Sequence, residues 1–133
     1  MRETRALTGS DPVMRLPHRK PIDVLLDTTL RTCAKVMADE AIGAVLVRGP
    51  HGPVGVLSER DIVGALAEGA NADRERARDY MTPDVDFVPE LTTIADAGRE
   101  MIRNEIRHLA VTRDGATVGL ISSRDVLAVL TGG

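Results

Sequence analysis

Displaced by 64 residues, the sequence falls onto itself. Residues 24–69 align with 88–133 without a gap, and 13 of the 46 pairs are identical, among them Thr28/Thr92, Met37/Met101, Gly55/Gly119, Ser58/Ser122, Arg60/Arg124 and Asp61/Asp125. Composition alone would give roughly three. Many remaining pairs exchange one aliphatic or basic residue for another, as at Leu30/Ile94, Lys35/Arg99 and Leu57/Ile121. A chain of 133 residues that repeats itself in this way is built from two copies of one supersecondary unit.

Both copies carry the same pattern. A short apolar segment near 22–26 and 85–89 predicts a strand. Leu30, Cys33, Ala34, Met37 and Ala41 follow at helical spacing, and Ile94, Ala97, Gly98 and Met101 repeat it. Two further strands are predicted at 44–47 with 54–57 and at 109–112 with 118–121. They are joined by Gly49-Pro50-His51-Gly52-Pro53 and by Asp114-Gly115, so each pair reads as a hairpin. Helices near 59–67 and 123–130 close the copies, which gives the order β-α-β-β-α twice. A unit of 46 residues is small for independent folding. Its sheet would have one face under its two helices and one face bare. The expectation is therefore an α+β protein in which two repeats pack sheet to sheet about a pseudo-twofold axis, leaving two clefts between them. Residues 1–12 are expected to form a flexible arm, 13–69 the first repeat, 70–80 a charged linker turning helical toward Tyr80-Met81, and 81–133 the second repeat. Val13-Met14 is set against Tyr80-Met81 as the opening of each repeat, which requires three extra residues in the first copy.

Charge and composition exclude several functions. The net charge is −3, and Tyr80 and Phe87 are the only aromatic residues, so neither a phosphate-backbone footprint nor a set of stacking platforms for nucleic acid is present. No apolar run approaches the roughly 20 residues that cross a bilayer. Nothing near Met1 has a secretory pattern, and the single cysteine, Cys33, leaves no intrachain disulfide. The expected setting is the cytoplasm, with no membrane partner. Cys33 lies on the apolar helical face, as an inert buried thiol would. His18, His51 and His108 do not approach metal-ligand spacing with Cys33, and no nucleophile-base pair for catalysis is evident.

The most specific local feature is duplicated: Gly55-Val56-Leu57-Ser58-Glu59-Arg60-Asp61 and Gly119-Leu120-Ile121-Ser122-Ser123-Arg124-Asp125. Serine at a strand-to-helix junction with an acid three residues on is the pattern of a capping box. The same residues also suit a ribose and a phosphate. A helix N-terminus favours an anion, Arg60 or Arg124 offers a planar donor fork, and Asp61 or Asp125 can accept from ribose hydroxyls.

With these motifs the sequence resembles a pair of cystathionine-β-synthase (CBS) domains, a Bateman module. Ile42-Gly43-Ala44-Val45-Leu46-Val47, Asp79-Tyr80-Met81-Thr82-Pro83 and Ile106-Arg107-His108-Leu109-Ala110-Val111 add to the resemblance. It covers the chain from about residue 13 to 133, so no fused catalytic domain is expected. The resemblance implies a non-catalytic regulatory module that requires no cofactor and no metal. Its clefts would bind AMP, ADP, ATP, S-adenosylmethionine or a dinucleotide such as NAD. It implies that Asp61 and Asp125 hold ribose, that Ser58 and Ser122 approach ribose or phosphate, and that Arg107 and His108 hold phosphate. Arg60 and Arg124 complete the phosphate set, while Val24, Thr82 and Val85 lie near the base. The first copy has Gly43 and Ala44 in place of Arg107 and His108, so the clefts are expected to differ. The expected assembly is a homodimer, with an unidentified protein partner as the possible output. The alternative reading is a ligand-free scaffold for dimerisation or protein interaction.

Overall fold

The structure, a computed structural model, describes residues 6–17 and 20–132. The first repeat comprises β1 (Asp23–Leu25), α1 (Leu30–Glu40), β2 (Ala44–Gly49), β3 (Gly52–Ser58) and α2 (Glu59–Ala67). A short helix α3 (Ala77–Tyr80) and strand β4 (Thr82–Pro83) follow. The second repeat comprises β5 (Phe87–Pro89), α4 (Ile94–Asn104), β6 (His108–Arg113), β7 (Ala116–Ser122) and α5 (Ser123–Leu130). The fold is α+β, with β-α-β-β-α occurring twice.

The repeats are built to one register. β1 runs parallel to β2 and β2 antiparallel to β3, with Asp23 opposite Leu46 and Ala44 opposite Ser58. Phe87 opposite Ala110 and His108 opposite Ser122 reproduce both pairings 64 residues later. The register shift of the hairpin also recurs, at Val47/Arg48 and Val111/Thr112. The first hairpin is tighter than its turn residues suggest, while the second turns on Asp114-Gly115 as expected. Gly49 already pairs with Gly52 and Arg113 with Ala116, so two residues make each turn. In the second turn Asp114 (φ 51°) and Gly115 (φ 81°) are both left-handed, the backbone that matches the twist of the flanking strands. Thr29 and Thr93 cap α1 and α4 by accepting from the N–H groups of Thr32 and Asp96. Both helices stop at a left-handed residue that is not glycine, Ala41 (φ 54°) and Glu105 (φ 53°).

The apolar helix faces read from the sequence form the cores. Leu30, Cys33 and Met37 of α1 pack with Val45, Val47, Leu57, Ile62 and Val24. Ile94, Ala97 and Met101 of α4 pack with Leu109, Val111, Ile121, Val126 and Val88. Burial pushes the Cys33 thiol up to about 11, so almost none of it is thiolate at neutral pH, which suits an inert core residue.

The compact units do not coincide with the repeats. One spans Pro21–Val85, and the other joins the stretch up to Lys20 to Asp86–Gly133. The first repeat is thus completed by the segment that follows it, and the second by the segment that begins the chain. Val13 is fully buried and Leu16 nearly so, both in the core of the second repeat. Ala77 fills the matching place in the first. The Val13 N–H donates to Thr92 O (2.8 Å) as Ala77 N–H donates to Thr28 O (2.8 Å), and Met14 donates to Glu90 O as Arg78 does to Leu26 O. Ile94 N–H to Asp11 O is likewise the counterpart of Leu30 N–H to Glu75 O. These bonds correct the register of the opening segment. Val13-Met14 corresponds to Ala77-Arg78 rather than Tyr80-Met81, and no extra residues are needed.

Of the arm expected to be flexible, residues 1–5 lie outside the described residues. Thr8 to Pro12 are held in place: the Thr8 N–H donates to the Asp11 carboxylate (2.8 Å), Ala95 N–H donates to Gly9 O, and Asp11 is buried. The linker does turn helical before Tyr80-Met81, and its charges act as clamps. Asp73 is paired with Arg31 and Arg78 with Asp27, while Arg76 Nη1 donates to Asp27 O (2.9 Å). Strand β4 then pairs with β3, Thr82 lying opposite Val56. Its counterpart at the 64-residue spacing falls on 18–19, outside the described residues.

Two substitutions test this architecture by chemical denaturation. Val13→Ala is expected to cost about 2 kcal/mol through a cavity in the second repeat's core, whereas Met14→Ala, at an exposed neighbour, should cost well under half of that. A Cβ at Gly55 would lie 2.8 Å from Thr82 O and 2.6 Å from Met81 Sδ. Gly55→Ala is therefore expected to cost about 1–3 kcal/mol by overpacking against β4.

Candidate functional site

Each repeat ends its last strand on the motif serine and begins its last helix on the next residue. That abrupt change of backbone sets the geometry. Ser58 is extended (φ −106°, ψ 164°) and is the N-cap of α2, and Ser122 (φ −112°, ψ 163°) is the N-cap of α5. The Ser58 N–H and hydroxyl both donate to Asp61 Oδ2, at 2.8 and 2.9 Å, and the Asp61 N–H donates back to Ser58 Oγ at 3.2 Å. The second copy repeats this at 2.8, 3.0 and 3.2 Å between Ser122 and Asp125. Both are complete capping boxes, as the spacing predicts.

The hydrogen-bond arithmetic limits what else these groups can do. The serine hydroxyl has one proton, and it is spent on the aspartate. Both bonds received by the carboxylate fall on Oδ2, so Oδ1 is the oxygen that the chemistry offers to an outside donor. The motif residues are half-buried, which leaves them accessible while raising the strength of such a contact over that in bulk water.

Around each box the copies differ. Strand pairing sets His108 directly opposite Ser122, and Ala44 opposite Ser58. The second copy therefore gathers Ser122, Asp125 and half-buried His108, with Arg124 exposed one residue before Asp125. The first gathers Ser58, Arg60 and Asp61 without a basic strand residue. Arg107 sits one place earlier than His108 and is exposed. Its carbonyl accepts from Ser123 N–H (2.8 Å), as Gly43 O accepts from Glu59 N–H (2.9 Å).

The residues expected near the base separate. Val24 is 6% exposed and packed under its own helices, because strand alternation turns it inward. This corrects its assignment to a base pocket through its side chain; β1 instead turns Asp23 and Leu25 outward, with Asp23 bonded to Arg48 (2.6 Å). Thr82 is exposed on β4 and Val85 is half-buried beyond it.

One feature escaped the sequence reading. A groove of about 400 Å³ lies on the helical side of the first repeat, lined by α1 residues such as Ala34 and Ala38, by Gly43, and by Glu59 and Val63 of α2. The available signal was the run of small residues, Ala34, Ala38 and Ala41, at helical spacing. Among the described residues no group of three His, Cys, Asp or Glu is placed to hold a metal, and no helix is long and apolar enough to cross a membrane.

Comparison with known proteins joins this geometry to a family. An uncharacterised 17.7 kDa protein of Acidianus ambivalens is 35% identical over 89% of this chain and 72% of its own length. An uncharacterised protein of Methanopyrus kandleri is 31% identical over 80% of this chain, which spans only 58% of that longer relative. Among solved structures, the CBS domain protein PAE2072 from Pyrobaculum aerophilum, complexed with AMP, superposes with a TM-score of 0.74 at 26% identity, covering 92% of this chain and 99% of that one. The sequence profile of the CBS domain matches twice, at residues 13–68 and 77–132, and the chain belongs to the CBS domain family as a tandem pair.

Proposed function

We propose that this CBS pair is a non-catalytic regulatory module of the cytoplasm that binds an adenosine-type ligand such as AMP, ADP or ATP. The observation that carries the reading is the duplicated Ser–Asp box. Each box leaves one carboxylate oxygen outside the cap bonds, at the positive end of a helix, as an acceptor for a ribose hydroxyl, and in the second copy His108 stands across from Ser122. The AMP held by the Pyrobaculum relative supports it. Phosphate charge is best accepted by the second copy, where His108 and Arg124 are both at hand. Occupancy becomes a signal when the ligand binds one shape of the module better than another.

A specific observation favours a second reading. Each serine hydroxyl and its aspartate already satisfy one another, so the motif is fully accounted for as a cap in a ligand-free scaffold. Either reading uses a homodimer. Supporting it are Val63 and Leu66 on α2 and Leu127 and Leu130 on α5, four exposed apolar side chains at the 64-residue spacing.

Titration with adenosine, AMP, ADP and ATP separates the two readings. A ligand present at about 100 times its dissociation constant should raise stability by about 2.7 kcal/mol, and a flat thermal-shift response to all four supports the scaffold. Asp125→Asn keeps an oxygen for the Ser122 cap but replaces the outer acceptor with a donor. Folding stability is expected to change by less than about 1 kcal/mol, while affinity for all four ligands at that copy falls about ten- to a hundredfold. His108→Ala should weaken ATP and ADP more than adenosine in calorimetry; an equal loss across the series removes His108 from the phosphate.

A further inference from the structure

The linker and the N-terminal arm close equivalent places but are fastened by different physics. At the 64-residue spacing Asp73 corresponds to Gly9 and Arg78 to Met14, while their partners Arg31 and Asp27 correspond to Ala95 and Leu91. Both members of each ion pair are thus exchanged together. Where the first repeat has the Arg31–Asp73 pair, the second has two small residues in close approach: a Cβ on Gly9 would lie 3.2 Å from the Ala95 Cβ. Where the first has Arg78–Asp27, the second has the apolar residues Met14 and Leu91. The arm sinks two aliphatic side chains, Val13 and Leu16, where the linker sinks the single methyl group of Ala77. Half-buried Tyr80, in the place of Leu16, spends its hydroxyl on Glu75.

We propose that residues 70–83 form an ionic strap that opens as one unit and carries β4 away from the motif of the first repeat. Few buried apolar contacts and exposed polar fastenings mark a segment that opens at less cost than the whole domain. The side chains of the two ion pairs are 48 to 77% exposed, so salt screens them while leaving the apolar fastening of the arm in place. The strap is bracketed by two left-handed residues, Gly69 (φ 90°) and Asp84 (φ 62°). A few residues at the ends of a moving segment absorb its rotation. Strand β4 follows α3 after one residue, Met81. It pairs through Thr82 and Pro83 alone, and proline contributes no N–H, so its seat on β3 depends on the strap. Thr82 lies opposite Val56, two residues before Ser58. Opening therefore removes a strand from beside the motif serine, and a ligand that binds the closed form holds the strap shut in return. That coupling rests on the adenosine reading above; the opening itself does not.

Amide hydrogen exchange of the full chain, read residue by residue by NMR in sodium chloride at about 0.01 M and about 1 M, tests the strap. The N–H groups of Ala77, Arg78 and Asp84 are bonded to Thr28 O, Leu26 O and Val54 O, and at high salt they should exchange together, about five- to tenfold faster. Those of Val13 and Met14, bonded to Thr92 O and Glu90 O, should change by less than about twofold. The double variant Asp27→Asn with Asp73→Asn should open the strap at low salt as far as high salt opens the natural chain, and should lose the salt response. Both side chains are exposed, so circular dichroism should report an unchanged fold. Equal salt responses in strap and arm, or a double variant that keeps the response, overturn the ionic strap. Faster exchange at Ala77 and Arg78 with Asp84 unchanged overturns the removal of β4. Saturating AMP should slow all three strap amides, and AMP that binds in calorimetry but leaves them unchanged overturns the coupling. A chain that binds no AMP yet shows the salt response defeats the adenosine reading and leaves the strap standing.

Discussion

The structure depends on a coverage problem. A β-α-β-β-α unit of this size cannot enclose its core, because two helices of about ten residues leave the turn between the first strand and the first helix open. Each repeat is closed by a segment that the chain places before the other repeat. Val13 and Leu16 close the second, and Ala77 closes the first with Tyr80 packed at its edge. The donor and acceptor pattern is the same in both, N–H to Thr92 O in one and to Thr28 O in the other. Each folding unit is therefore discontinuous or extended relative to the repeat, and core packing ties the N-terminal arm to residues some eighty positions away. The means of attachment differ. The linker adds the charge pairs Arg31–Asp73 and Arg78–Asp27, whereas the arm is held by backbone bonds, the buried Asp11 turn and apolar contact.

The Ser–Asp box shows how a structural device and a binding device occupy the same atoms. The box stabilises an N-terminus that must begin directly after a strand, with no loop to absorb the change of direction. That demand fixes the carboxylate at a reproducible place in both copies, within 0.1 Å in its hydrogen bonds. Preorganisation of this kind lowers the ordering cost of a ligand contact. It also explains why the motif alone does not reveal its use, since a cap and a ribose acceptor have the same ground-state geometry.

Duplication preserved what the core requires and released what it does not. Strand register, caps and buried faces are equivalent across the two copies. The strand-to-helix junctions differ where side chains reach solvent: Gly43, Ala44 and Glu59 in one, Arg107, His108 and Ser123 in the other. Charge also differs along the first helices, where Asp39 is matched by Arg103 and Val36 by Glu100.

The repeat, the element order, the two amphipathic helices and both capping boxes were legible in the sequence because they rest on local periods: 3.6 residues for the helix faces, two for the strands, three from cap to acid. Helix α1 (Leu30–Glu40) buries Leu30, Cys33 and Met37 of the predicted apolar face for that reason. Tertiary structure alone decided the rest. The alignment of Val13 with Ala77 was hidden because their equivalence lies in which backbone carbonyls they reach, and the side chains share little. Val24 looked like a pocket residue until strand alternation and packing under α1 placed it in the core. The left-handed ends at Ala41 and Glu105 carry no glycine signal, and they are imposed by chain reversal into β2 and β6. The groove beside Glu59 emerged only when residues far apart in the chain were brought onto one surface, since relief is a property of neighbours in space.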